Sequence, residues 1–125
     1  MFELTVESDF SSAHRLRGYS GNCERLHGHS WSVQVTVGSE QLDEIGLVVD
    51  FKLLRKILRD ITGELDHCLI NEHEDFQNTN PTCENIARWL YERMKRELRA
   101  LPCNLRRVRV WESKGSFCTY REDGL

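Results

Sequence analysis

A chain of 125 residues fits one domain and leaves little room for a second. Charged residues make up 30% and hydrophobic ones 39%, and the net charge of −3 argues against a role in binding polyanions, so no nucleic-acid partner is expected. No apolar run approaches a membrane span, and the opening residues read as a strand rather than a signal peptide, so no membrane partner and a cytoplasmic location are expected. The five cysteines (Cys23, Cys68, Cys83, Cys103, Cys118) contain no C-x-x-C pair and are expected as reduced thiols.

From Phe2 to Leu16 the apolar residues Phe2, Leu4, Val6 and Phe10, then His14, fall on even positions, with Glu3, Thr5, Glu7 and Asp9 between them. That period of two predicts a half-buried strand. Arg17 to Leu26 reads as a loop with Gly18, Gly21 and Asn22 as turn residues. A second strand is predicted from about His27 to Val37, with His27, His29, Trp31, Val33, Val35 and Val37 on one face and small or polar residues on the other. The period then changes. Asp50 is a fair N-cap for a helix carrying Phe51, Leu54, Ile57, Leu58 and Ile61, with Gly63 at its end. A second helix is predicted to begin near Thr82, with the stripe Ile86, Trp89, Leu90, Met94, Leu98 and Leu101 and Pro102 just beyond. Alternation returns in Val108, Val110 and Glu112, followed by a turn at Lys114-Gly115 and a last strand from Ser116 to Arg121. The order strand, strand, helix, helix, strand, strand predicts an α+β domain. Its antiparallel four-stranded sheet carries both helices on one face.

In a strand, residues two apart project to the same side, so His27 and His29 can hold one metal ion together. His14 ends the preceding strand on its apolar face, where the chain turns back. Three protein ligands and one open position are the pattern of catalytic zinc. By spacing alone an H-x-H pair is as often two ordinary histidines, and His14 alone reads as a strand-end histidine. Cys23, four residues before His27, is either a small buried hydrophobe or a thiolate lowered by a nearby cation and Arg25. Asp66 beside His67 either fixes an imidazole tautomer or caps a turn. His73 lies in an acidic stretch and is expected in solvent. Glu112 should point inward at a strand end, where a carboxylate needs a partner. That partner is a structural arginine or a ligand with two adjacent N–H donors, such as the edge of a pterin or guanine. Seven basic residues lie between Arg93 and Arg109, and with Glu92 and Glu97 among them they read as a solvated face.

The residues taken together resemble the 6-pyruvoyl-tetrahydropterin synthase superfamily over nearly the whole chain. The resemblance is carried by Phe10-Ser11-Ser12-Ala13-His14, Cys23 to His29 and Gly46-Leu47-Val48-Val49-Asp50-Phe51. Leu65 to Asn71, Asn80 to Asn85 and Val110-Trp111-Glu112 complete it. Three residues between Cys23 and His27 is the spacing of the 6-carboxy-tetrahydropterin synthases of queuosine and other 7-deazapurine biosynthesis. The resemblance implies the T-fold, zinc (Zn2+) on His14, His27 and His29, a catalytic thiol at Cys23 and an Asp66–His67 acid–base pair. It also implies pterin anchoring by Glu112 with help from the stretch containing Thr82 and Glu84; Cys83 stands where the family often has serine. It implies a homohexamer built as a dimer of trimers with active sites at subunit interfaces. The implied substrate is 7,8-dihydroneopterin triphosphate, converted to 6-carboxytetrahydropterin with release of triphosphate and acetaldehyde. Two rivals are the 6-pyruvoyl product, formed without carbon loss, and a non-catalytic zinc- or pterin-binding protein. Arg15, Arg17, Arg25 and Lys114 are the candidate partners of the triphosphate.

Overall fold

The computed structural model describes residues 1–18 and 25–122. The predicted alternation produces two thirteen-residue strands, β1 (Phe2–His14) and β2 (His27–Ser39), paired antiparallel from Phe2↔Ser39 to His14↔His27. Residues directly opposite share a face of the sheet. Val6↔Val35, Phe10↔Trp31, Ser12↔His29 and His14↔His27 therefore form one continuous surface, apolar at the centre and imidazole-lined at the end. Two more strands, β3 (Asn104–Ser113) and β4 (Ser116–Tyr120), extend the sheet in the order β1-β2-β3-β4.

Two irregularities in β3 matter. Thr36 faces Arg107 and Val37 faces Leu105, so Arg106 is an extra residue. This bulge spaces the core-facing Leu105 and Val108 by three rather than two, which hid the first turns of β3 from the alternation. At the other end Trp111 faces Phe117 and Ser113 faces Ser116, so Glu112 is the extra residue. Bulges bend a strand and re-aim a side chain.

Helix α1 (Phe51–Thr62) starts where Asp50 accepts a hydrogen bond from the Lys52 backbone N–H at 2.8 Å. It buries Leu54, Leu58, Ile61 and Thr62. Phe51 fits the same stripe by spacing but is exposed, as are its neighbours Ile45, Leu47 and Leu53. Gly63 ends α1 in right-handed geometry (φ −59°), because the chain winds on into a 3-10 turn over Gly63–Leu65. Helix α2 (Cys83–Leu98) is capped by Thr82, whose hydroxyl oxygen accepts from the Asn85 N–H at 3.1 Å. Its buried face is Ile86, Ala87, Leu90, Tyr91, Met94 and Leu98. Ala87 and Tyr91 widen the predicted stripe, and Trp89 is only partly buried.

α1 packs on β1, and α2 packs on β3, β4 and α1, so one face of the sheet is covered. Trp31, Val33, Val35, Val37, Val108 and Val110 lie fully buried at the centre. The second face carries hydroxyl and ionic pairs, such as Thr5–Thr36 at 2.8 Å and Arg107–Glu3 at 3.3 Å, and an aromatic pair, Trp111–Phe117. No helix among the described residues is long and apolar enough to cross a membrane.

Candidate metal centre

The β1–β2 register fixes the centre. His14 closes β1, His27 opens β2 directly opposite, and His29 follows on the same face. Trp31, next along that face, stands edge-on to His14 and His29 at centroid distances of 5.0 and 5.4 Å and walls the site from the core. The rings are oriented by backbone carbonyls. His14 Nδ1–H donates to Pro81 O at 2.8 Å, and His27 Nδ1–H donates to Arg25 O at 2.7 Å. A carbonyl only accepts, so each bond fixes the tautomer and leaves Nε2 with a free lone pair. These two Nε2 atoms then face each other at 3.1 Å. His29 Nε2 is buried without a hydrogen-bond partner. Burial, with His14 and His27 nearby, lowers the His29 pKa from its ordinary value against the opposing pull of Glu112, which favours the neutral ring.

The fourth member comes from the β3 bulge. Glu112 Oε1 lies 3.2 Å from His14 Nε2, 3.1 Å from His29 Nε2 and 4.0 Å from His27 Nε2. The His29 contact is short but off the line of a hydrogen bond. All four ligand atoms lie within 4.8 Å of one another. A tetrahedral ion with bonds of 2.0–2.1 Å separates its donors by about 3.3 Å, close to three of these distances. Lone pairs crowded on one point repel unless a cation lies among them. The residues therefore fit a divalent ion, and imidazole with carboxylate suits zinc. Among the described residues no arginine or lysine pairs with Glu112, which removes the structural-arginine reading of that carboxylate.

Next to the centre, Pro81 leads into the start of α2. The Thr82 oxygen is used in capping, but its hydroxyl proton remains free to donate. Glu84 is exposed in the first turn of α2. Cys83 donates its thiol hydrogen to Val110 O at 3.2 Å, which sets the start of α2 against β3 two residues before Glu112. Burial pushes the Cys83 thiol up to about 12.

Asp66 and His67 form a dyad beside β1. Asp66 Oδ2 accepts from His67 Nδ1–H at 2.9 Å, and its Oδ1 accepts from the Ser11 N–H at 2.9 Å. The Ser11 bond is the main reason this carboxyl is held below its usual range. His67 adopts φ +54°, a left-handed conformation unusual for a side-chain-bearing residue. It is held there by its N–H bond to Ser11 O and by the bond from Ala13 N–H to Cys68 O. The ring itself is exposed. A broad open depression of about 700 Å3 beside the dyad is lined by Ser11, Ala13, Gly28, Ser30 and His67 and reaches His29 alone of the imidazole cluster. A Cβ added at Gly28 would meet nothing within 4 Å, so this glycine borders open space.

The expected thiol, Cys23, lies outside the described residues. Of the other thiols, Cys68, Cys83, Cys103 and Cys118 are free and burial raises each pKa, so none of them is an activated thiolate. Arg17 donates to Phe76 O at 2.9 Å and Thr79 O at 3.0 Å, which commits it to holding the 76–80 segment. Arg15, Arg25 and Lys114 are exposed. His73 is not solvated as expected. Its Nε2–H donates to Glu64 Oε1 at 3.1 Å, its Nδ1 accepts from the Asp75 N–H at 3.0 Å, and its ring packs against Phe76 and Trp89. Sequence reasoning missed the Pro81 and Arg25 carbonyls, which have no side-chain signature. It placed Glu112 inward by alternation but missed that the imidazole cluster is what this carboxylate meets there.

Comparison with known proteins agrees with this geometry. The profile of the 6-pyruvoyl tetrahydropterin synthase family matches residues 3–123. The 6-carboxy-5,6,7,8-tetrahydropterin synthase of Bacillus subtilis is 36% identical, covering 96% of this chain and 85% of its own length. The dihydroneopterin monophosphate aldolase of Pyrococcus furiosus is 37% identical, over 87% of this chain and 88% of its own. The structure of Caenorhabditis elegans 6-pyruvoyl tetrahydropterin synthase superposes with a TM-score of 0.84 at 28% identity, covering 98% of both chains.

Proposed function

The chain belongs to the 6-pyruvoyl tetrahydropterin synthase family, with its T-fold, and within that family we propose that it is a zinc-dependent 6-carboxy-5,6,7,8-tetrahydropterin synthase. The substrates are 7,8-dihydroneopterin triphosphate and one water, and the products are 6-carboxytetrahydropterin, acetaldehyde and triphosphate. The observation that carries this reading is the convergence of the His14, His27 and His29 Nε2 atoms, two of them fixed as ligand tautomers by carbonyls. Zinc held by these residues supplies Lewis acidity toward the oxygens of the pterin side chain.

The chain's own groups do the rest. Cys23, as thiolate, removes a carbon-bound proton. His67, its Nδ1–H held by Asp66, keeps Nε2 free to relay protons. Glu112 accepts the two adjacent N–H groups of the pterin edge. The Thr82 hydroxyl and Glu84 border the ring at the start of α2, and Thr82 has a proton to give. With Arg17 committed elsewhere, Arg15, Arg25 and Lys114 remain for the triphosphate. The chain acts as one T-fold domain in a cytoplasmic homohexamer, a dimer of trimers whose sheets close into barrels.

The test is incubation with zinc and 7,8-dihydroneopterin triphosphate, followed by mass analysis of the pterin and an aldehyde assay. Carboxytetrahydropterin with one equivalent of acetaldehyde supports the proposal. A pyruvoyl pterin without aldehyde would replace it by the carbon-retaining reaction. Binding without turnover would leave a pterin-binding protein. The aldolase name of the Pyrococcus relative favours a second reading, cleavage of a dihydroneopterin monophosphate, so that compound belongs in the same assay.

A further inference from the structure

A carboxylate that only anchors the pterin edge has no reason to point at three imidazoles, yet Glu112 does. We propose that Glu112 has two positions. In the substrate-free enzyme it is the fourth ligand of the bound ion, and an incoming pterin draws it away to the N–H edge of the ring. Recognition of the ring then vacates the coordination position that the substrate's side-chain oxygens take. This rests on the zinc site proposed above.

Three observations carry it. First, the contacts of Glu112 Oε1 with His14 and His29, at 3.2 and 3.1 Å, match the 3.1 Å between His14 and His27. His27 Nε2 stands farther off, at 4.0 Å, so the carboxylate takes the fourth corner of a donor set that a small shift of His27 brings to tetrahedral size. Second, no N–H satisfies it there. The His14 and His27 ring protons are spent on Pro81 O and Arg25 O, and His29 Nε2 makes no hydrogen bond. A carboxylate set beside two bare imidazole acceptors, with no arginine or lysine next to it among the described residues, is arranged for a cation. Third, Glu112 is the extra residue of a bulge, and its side chain is 34% exposed. It is therefore not locked in the sheet, and its side chain is free to rotate away from the imidazoles. A closed, four-ligand centre holds its ion more firmly than an open one. A ligand that offers two parallel N–H donors to the carboxylate compensates for its departure.

The test uses the full-length protein loaded with cobalt or zinc, and pterin lacking a side chain as a non-reacting probe. In the wild type, the visible spectrum of the cobalt protein should change when pterin is added. In Glu112→Gln the starting spectrum should already differ, and pterin should not change it. Zinc affinity by chelator competition, without pterin, should fall roughly ten- to a hundredfold in Glu112→Gln. Added pterin should lower wild-type zinc affinity but leave that of the variant unchanged. Equal zinc affinities and identical cobalt spectra for wild type and variant would overturn the proposal and leave Glu112 as an anchor alone. A wild-type spectrum unmoved by saturating pterin would overturn the displacement. If His29→Ala binds metal as well as the wild type, the zinc site itself fails, and the two failures are thereby told apart. Circular dichroism of Glu112→Gln, an isosteric change, confirms that the fold is intact.

Discussion

At the scale of single residues, each proposed role separates under substitution. Cys23→Ala should retain zinc and pterin but lose turnover by about 10²–10⁴-fold, the usual contribution of a general base. Metal content and turnover measured on the same preparation check it. A fall in zinc content would instead make Cys23 a ligand, and near-normal turnover would remove it from the mechanism. Asp66→Asn should leave zinc bound and reduce turnover, because the amide no longer fixes the His67 Nδ1–H. The Asp66 carboxyl is held below its usual value, chiefly by the Ser11 N–H, so its bonds to the native state persist above the ordinary carboxylate pKa. They are lost only as pH falls through the lower folded value. The activity difference between Asp66→Asn and the wild type should therefore be constant across neutral and mildly acidic pH.

At the scale of elements, Glu64 joins the 3-10 turn after α1 to Arg93 on α2 and to His73, with Arg93 Nη1–H donating at 2.9 Å. Its pKa is lowered, mainly by Arg93. The stabilisation is therefore present above the unfolded carboxyl pKa and is lost as pH falls through the folded one. The pair is partly exposed and screened, so Glu64→Gln should cost about 0.5–1 kcal/mol at neutral pH, and the difference should vanish in acid. Urea unfolding at pH 7 and below pH 4 checks it. Trp31→Ala removes a fully buried side chain from the centre of β2 and should cost roughly 3–5 kcal/mol in the same assay. β1 and β2 were legible because nothing breaks their alternation over thirteen residues each. The start of β3 was not, because the bulge at Arg106 breaks the period of two. The shared face of the three histidines and the inward direction of Glu112 could be read from strand parity, whereas their meeting depends on β3 pairing beside β2, which no local pattern shows. His73 lay among acids in sequence, and only folding brings Trp89 and Glu64 around it.

At the scale of the molecule, the sheet ends in β1 on one side and β4 on the other, and among the described residues the outer side of β1 is met near its end, where Ser11 and Ala13 bond to the 67–69 segment. Unpaired edges invite pairing with another chain, and closing sheets into a barrel removes them. The exposed group Ile45, Leu47, Phe51 and Leu53 is apolar surface of the same kind, awaiting a cover. Light scattering should therefore give a particle of about six 14.7-kDa chains. A stable monomer at micromolar concentration would contradict the hexamer.

The pairing of His14 with His27 has a mechanical consequence. An ion shared by the last residue of β1 and the first of β2 is a cross-link at the neck of the intervening loop, residues 15–26. The ladder already pairs these ends, so the ion adds a bond that resists fraying of the hairpin where it opens into the loop. Metal would then act as a rivet as well as a reagent. Melting temperature should climb with free zinc, by the equivalent of about 2.7 kcal/mol at a hundredfold excess over the dissociation constant. Replacing His29 or His27 still leaves one ligand on each strand, whereas replacing His14 removes the ligand on β1 and cuts the link. The zinc-dependent rise should accordingly survive in part in His29→Ala and disappear in His14→Ala.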